Sequence, residues 1–218
     1  MKLTHLFPCA LGALPLLCGG VDAQQQGPML VHVQAGHGPE GTGRHLMALP
    51  DHRQYELLNS GMAFCFSNGT VGECPCGDST TGDWGLGGCP PFEGRNPRLE
   101  VHGETRFGEV GGPHFARFLA DFVGDGPAIL LQSNTASLEA RTFGNGLVCL
   151  GQSPRRVATT TAIGGAAMVP PGPGFDLSAR FGVARRGWRY YQMAFRMPEG
   201  HCHPGAVGFT NAVAVLWD

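Results

Sequence analysis

Residues 64–89 read FCFSNGTVGECPCGDSTTGDWGLGGC, with Cys65, Cys74, Cys76 and Cys89 set among glycines and turn formers. Cys149 and Cys202 follow far downstream. An even set of six cysteines on an exported chain reads as a covalent framework, because oxidising compartments let disulfides form and persist. A zinc site is the competing reading of the four clustered cysteines. Zinc ribbons and fingers grip the metal with C-x2–4-C pairs, whereas the spacing here is C-x8-C-x-C-x12-C, so disulfides are favoured. Pro75 holds Cys74 and Cys76 apart in extended backbone, so these two are expected to bond to different partners. Cys149 and Cys202, each beside a strand candidate, are expected to bond to each other, leaving the first four to pair among themselves.

Export is read from the start of the chain. Residues 1–23 carry one positive charge at Lys2, an apolar run to Cys18, and Val21-Asp22-Ala23 as a small-residue cleavage pattern. Pro8 and Pro15 break the run, which is too short to span a bilayer as a helix. Acylation of Cys18 is the alternative, disfavoured by Leu17 where a small residue would stand. No later stretch is long and apolar enough for a membrane anchor, so the expected location is secreted or extracytoplasmic.

Composition narrows the class. The 218 residues include 35 glycines and 17 prolines, with only 15% charged residues, a balance that disfavours long helices. A net charge of -2 offers no field for nucleic acid. Lys2, in the leader, is the only lysine, which excludes Schiff-base enzymes, pyridoxal phosphate enzymes and P-loop phosphotransferases from the mature chain.

Residues 24–62 show no sustained period, apart from a possible strand at 29–33, and read as an extended arm or linker. From 63 onward, short apolar runs alternate with turn signals. Strands are expected at 98–102, 115–123, 128–132, 147–150, 157–162, 176–181, 188–197 and 206–217, with turns at 111–113, 124–126, 144–146 and 170–174. Short strands without intervening helices predict an all-β domain over 63–218, an antiparallel β-sandwich or jelly roll stapled by disulfides. In the last strand, Val213, Val215 and Trp217 share one face, opposite Ala212, Ala214 and Leu216.

Five segments together carry a resemblance: CFSNGTVGECPCG, Gly88-Cys89, FGNGLVCLG at 143–151, YYQMAFRM at 190–197 and FTNAVAVLW at 209–217. In order and spacing, residues 63–218 resemble an uncharacterised exported module of planctomycete-like bacterial secreted proteins. The resemblance implies a disulfide-bearing β domain without assigned catalytic residues. The chain departs from that pattern at Phe66-Ser67-Asn68-Gly69 and at Gln192-Met193-Ala194-Phe195.

Site signals are sparse. His201-Cys202-His203 could hold copper or zinc on a strand, but Pro198, Gly200 and Pro204 point to a loop, and a bridged cysteine is no ligand. Asp78 and Asp83 offer oxygens to calcium without a recognised spacing. No G-x-S-x-G elbow or H-E-x-x-H occurs. A glycosidase needs two carboxylates facing each other across a cleft. Glu100 and Glu104 lie on one short stretch and Asp121 and Asp125 bracket a turn; any of the acidic residues could be paired in space, and surface solvation is the default reading. Asn68-Gly69-Thr70 matches a glycosylation acceptor, which the bacterial resemblance argues against.

The run 185–196, RRGWRYYQMAFR, places Tyr191, Met193 and Phe195 on a core face, and Trp188, Tyr190 and Gln192 on the other. That second face is either buried packing or an aromatic platform on which sugar rings stack. The expected function is a non-catalytic structural or adhesive module, with Trp188 and Tyr190 as ligand-binding residues and extracellular polysaccharide or surface proteins as partners. No cofactor or metal is expected. The alternative is a secreted carbohydrate-active hydrolase whose carboxylates are assembled in space.

Overall fold

The computed structural model describes residues 46–48, 54–58, 60–77, 79, 86–91, 95–103, 105, 116–170, 187–197 and 207–217. The described residues form twelve strands and no helix. These are β1 (Leu46–Ala48), β2 (Gln54–Leu58), β3 (Gly61–Phe64), β4 (Arg98–His102), β5 (Arg117–Asp121) and β6 (Gly126–Ser133). They continue with β7 (Ala136–Phe143), β8 (Gly146–Leu150), β9 (Arg155–Ala162), β10 (Ala166–Val169), β11 (Gly187–Arg196) and β12 (Val207–Trp217). Seven strands make one sheet in the order β1-β2-β3-β12-β11-β6-β9, three make a second in the order β10-β5-β4, and β7 with β8 is a separate pair. Every pairing is antiparallel.

Period-two alternation explains the small sheet. Leu99 and Val101 of β4, Phe118 and Ala120 of β5, and Ala167 and Val169 of β10 all turn inward and are buried. They meet Leu130 of β6, Tyr191, Met193 and Phe195 of β11, and Val213, Val215 and Trp217 of β12 in one cluster. The central strands of the large sheet are buried on their other face too. There β8 supplies Leu147 and Cys149 against Met62, Phe64, Ala212 and Ala214, while its Val148 and Leu150 pack with Ala194 and Phe209. A strand covered on both sides must be apolar throughout, which is why VGFTNAVAVLW carries almost no polar alternation.

One irregularity sets the faces of β12. Gln192 pairs with Ala212 but Ala194 pairs with Phe209, so Thr210 and Asn211 together oppose Met193. This bulge reverses the alternation, turning Phe209 to the β8 side while Val213, Val215 and Trp217 face the main core. Thr210 fills the gap by accepting the Met193 N–H at 3.1 Å. The buried Tyr191 hydroxyl accepts from Trp217 Nε1 at 3.0 Å and from Gln132 Nε2 at 3.2 Å. Gln132 Oε1 in turn accepts from Arg155 Nε and Nη2, at 2.9 and 2.7 Å. Burial pushes the Tyr191 hydroxyl pKa upward, so the phenol stays protonated.

Seven of the expected strands appear, 98–102 unchanged and the other six with boundaries shifted by a residue or two. The candidate at 176–181, the one at 29–33, the turn at 111–113 and all but Pro170 of the turn at 170–174 lie outside the described residues. The sheet also reaches into the segment read as an arm, where β1 and β2 pair successively onto β3. The turn at 144–146 is a two-residue hairpin loop, Gly144-Asn145, with Gly144 at φ 58°.

The expected disulfide pairing is corrected. Cys149 is bonded to Cys65, 84 positions apart, and not to Cys202. Cys65 directly follows β3, which pairs with β12, and β8 lies against β12 with Cys149 facing the same cluster. Packing of β8 on the sheet therefore brings the two Cα atoms to 5.9 Å, although the chain separates them widely. Cys74 bonds to Cys89, 15 positions on, and Cys76 is bonded elsewhere, so the two cysteines flanking Pro75 do take different partners. No helix of the described residues is long and apolar enough to cross a membrane.

Candidate ligand-binding face

β11 runs through the middle of the large sheet with β12 on one side and β6 on the other, so its side chains are fixed by two neighbours. Tyr191, Met193 and Phe195 occupy the main core, as the alternation predicts. Trp188, Tyr190 and Gln192 point to the opposite face, which β8 covers in part.

Gln192 is fully buried and serves as a structural knot. Its Nε2 donates to the carbonyls of Leu147 and Thr210, each at 2.7 Å, and its Oε1 accepts the Cys149 N–H at 3.2 Å. One side chain thus joins β8, β11 and β12 beside the Cys65–Cys149 bridge. Such a buried amide is tolerated because its donors and acceptor are engaged.

Trp188 and Tyr190 lie toward the other end of the strand and are half-buried, packed against the cluster of Met62, Phe64, Ala212 and Ala214. Tyr190 meets Phe64 edge to face, with ring centroids 6.0 Å apart. In the register, Trp188 stands directly opposite Leu216 and Tyr190 opposite Ala214. Leu216 is 41% exposed, so an indole, an isobutyl group and a phenol share one partly open strip at this end of the face. Leu216 was legible in the alternation of the last strand, but its exposure was not, because that depends on where β8 stops.

The alternative carboxylates fall elsewhere. On the outward face of the small sheet, Glu100 forms an ion pair with Arg98 Nε at 2.9 Å and a hydrogen bond with His102 Nε2 at 3.0 Å. Asp121 of β5 is paired opposite Arg98, which sets it diagonally from Glu100 on the same face. Burial, then the Glu100 charge, raises the Asp121 pKa, with Arg98 and His102 opposing. Asp125 instead accepts the Gly165 N–H at 2.9 Å, an arrangement that joins two turns. Asp78, Asp83, Glu104, His201, Cys202 and His203 lie outside the described residues. Among the described residues no group of three or more His, Cys, Asp or Glu side chains is placed to hold a metal ion. No protein-family model, curated protein or solved structure matches the chain.

Proposed function

We propose that residues 63–218 act as a non-catalytic, secreted or cell-surface β module that binds extracellular polysaccharide. The observation that carries this reading is the half-buried pair Trp188 and Tyr190 beside the exposed Leu216. Aromatic rings fixed in a sheet present flat apolar faces at little entropic cost, and sugar C–H faces stack on them. The formed disulfides suit an oxidising location, in keeping with a cleaved leader at 1–23. The two apolar clusters on either side of the large sheet suit a sandwich or jelly-roll architecture of the kind the exported bacterial module implies.

A second reading, a carbohydrate-active hydrolase, is favoured by one observation: Glu100 and Asp121 share a face, with Asp121 shifted toward the protonated form. Two carboxyl groups in different environments are the components of acid–base glycoside cleavage.

One experiment separates the readings. Mature protein is incubated with a panel of soluble and insoluble polysaccharides, and retention and released reducing sugar are measured. Retention without release, weakened by Trp188→Ala and Tyr190→Ala but not by Asp121→Asn, supports the binding module. Sugar release abolished by Glu100→Gln or Asp121→Asn supports the hydrolase. Neither retention nor release on any polymer overturns both.

A further inference from the structure

The small sheet buries one face in the main core and turns the other outward. On that outward face the register sets three rows. Asp121 stands between Ala166 and Arg98, Leu119 between Met168 and Glu100, and Arg117 beside His102. Arg117, Asp121, Ala166 and Met168 are exposed, and Leu119 is half-buried. Ile163, opposite Ala166 in the bridge that closes the β9–β10 hairpin, is 77% exposed and extends the apolar side of the face.

Along β5 this face reads acid, apolar, base: Asp121, Leu119, Arg117. A strand rises about 3.3 Å per residue, so the two charges stand about 13 Å apart, too far to pair with each other. Among the described residues the ion pairs of this sheet run through Glu100, to Arg98 and His102, and neither Asp121 nor Arg117 takes part in one.

We propose that this face is a self-association surface that binds a second copy of the chain, β5 laid on β5. A two-fold axis lying between the faces, across the strands at Leu119, exchanges the two ends of β5. Asp121 of each copy then meets Arg117 of the other, and both charges gain opposite partners. Leu119 and Met168 meet their own counterparts and bury the apolar middle. Arg98 and His102 exchange places as well, but each stays held by the Glu100 of its own copy. Facing sheets stack about 10 Å apart, a gap that an arginine and an aspartate side chain span together. A two-fold interface requires a patch that complements itself, and this one does. An axis along the strand would instead set Asp121 on Asp121 and Arg117 on Arg117, so the charges select one orientation.

The face is small. Three strands about 4.8 Å apart and five residues long cover roughly 250 Å², well below the ~800 Å² per partner of a standard stable complex. The dimer is therefore weak, with a dissociation constant in the high micromolar range. The proposal does not rest on the polysaccharide reading. It competes with the hydrolase reading, because a dimer closed here covers Glu100 and Asp121.

Sedimentation equilibrium of the secreted chain, from about 10 μM to about 1 mM, tests it. The average mass is expected to climb from monomer toward dimer across that range. Arg117→Asp and Asp121→Arg should each stay monomeric, because each sets like charges together at both contacts. Mixed in equal amounts they should associate, since one chain then offers two acids and the other two bases. Met168→Glu, in the middle of the face, should stay monomeric, and Arg117→Gln should weaken association without repulsion. Far-UV circular dichroism and mapping of the Cys65–Cys149 bridge check that each variant is folded. A wild-type chain that stays monomeric to the highest concentration overturns the proposal. So do charge-reversed variants that associate like the parent, or a mixture of folded variants that stays monomeric.

Discussion

The side chain of Asn211 pairs with the backbone of Leu99 as a neighbouring strand would. The Leu99 N–H donates to Asn211 Oδ1 at 2.7 Å, and Asn211 Nδ2 donates to the Leu99 carbonyl at 3.1 Å. Both residues are fully buried, one on β12 of the large sheet and one on β4 of the small sheet. β4 is the edge of its sheet, and a buried edge needs its backbone groups satisfied. The β12 bulge at Thr210 and Asn211 accompanies this contact. Asn211→Ala removes both partners from Leu99, and each buried group left unpaired costs about 1–3 kcal/mol. The expected loss is therefore about 2–6 kcal/mol, read as a lower chemical denaturation midpoint. A loss below about 0.5 kcal/mol would show that water replaces the amide.

Asp121 sets an acid-side response. Burial and the nearby Glu100 raise its pKa above 3.8, so the folded state prefers the protonated form more than the unfolded chain does. The contribution is fully present below 3.8 and is lost as pH rises through the higher folded value. At neutral pH the charged Asp121 thus works against folding. Asp121→Asn is expected to raise the thermal midpoint at pH 7 and to reduce the pH dependence above 3.8. Thermal scans across pH check this; a variant less stable than the parent at pH 7 would mean that the Arg98 attraction outweighs burial.

Gly88 meets a different constraint, the close approach of two backbones. A Cβ at this position would stand 1.8 Å from the Phe209 carbonyl oxygen, while the Gly88 N–H donates to the Pro97 carbonyl at 2.8 Å. The loop carrying Cys89 is thereby pressed against β12. Gly88→Ala must displace backbone, not a flexible side chain, and is expected to cost about 3 kcal/mol or more. Equilibrium unfolding of the secreted variant gives the number; an unchanged midpoint would show that this loop is not seated on β12.

These contacts mark where the sequence was legible and where it was not. β4, β6, β9, β11 and β12 are rich in β-branched, aromatic or alternating residues, and their positions could be read from period-two patterning. β7, with sequence ASLEARTF, escaped because it pairs only with β8 and includes a bulge where Ala140 donates to the Val71 carbonyl at 3.2 Å. β10 escaped because four residues, AAMV, leave too short a pattern after the Gly164-Gly165 turn. On β11, the alternation correctly separated the core face from Trp188, Tyr190 and Gln192. It could not tell that Gln192 would be consumed by three bonds to backbone while the two aromatics stay half-buried, since that contrast depends on where β8 lies. The Glu100 and Asp121 juxtaposition likewise arises only from the β4–β5 register.

The disulfides offer the last prediction, because chain proximity misled the sequence reading. Four cysteines within one Gly-rich stretch suggest local pairing, yet β8 packs over β12 and carries Cys149 to Cys65. Cys74–Cys89 accounts for two more, and Cys76 is bonded to a cysteine outside the described residues. On the proposal that residues 1–23 are a cleaved leader, Cys202 is the only other cysteine left in the mature chain. Non-reducing peptide mapping should therefore yield Cys65–Cys149, Cys74–Cys89 and Cys76–Cys202. By chain entropy, the bridge spanning 84 positions stabilises by about 4.5 kcal/mol and the one spanning 15 by about 3 kcal/mol. Replacing Cys65 and Cys149 together by alanine should then be the more damaging double change, lowering stability further than replacing Cys74 and Cys89. The reverse order would mean that the Gly-rich loop, and not the β8 contact, limits folding. A peptide joining Cys202 to Cys149 would refute the arrangement itself.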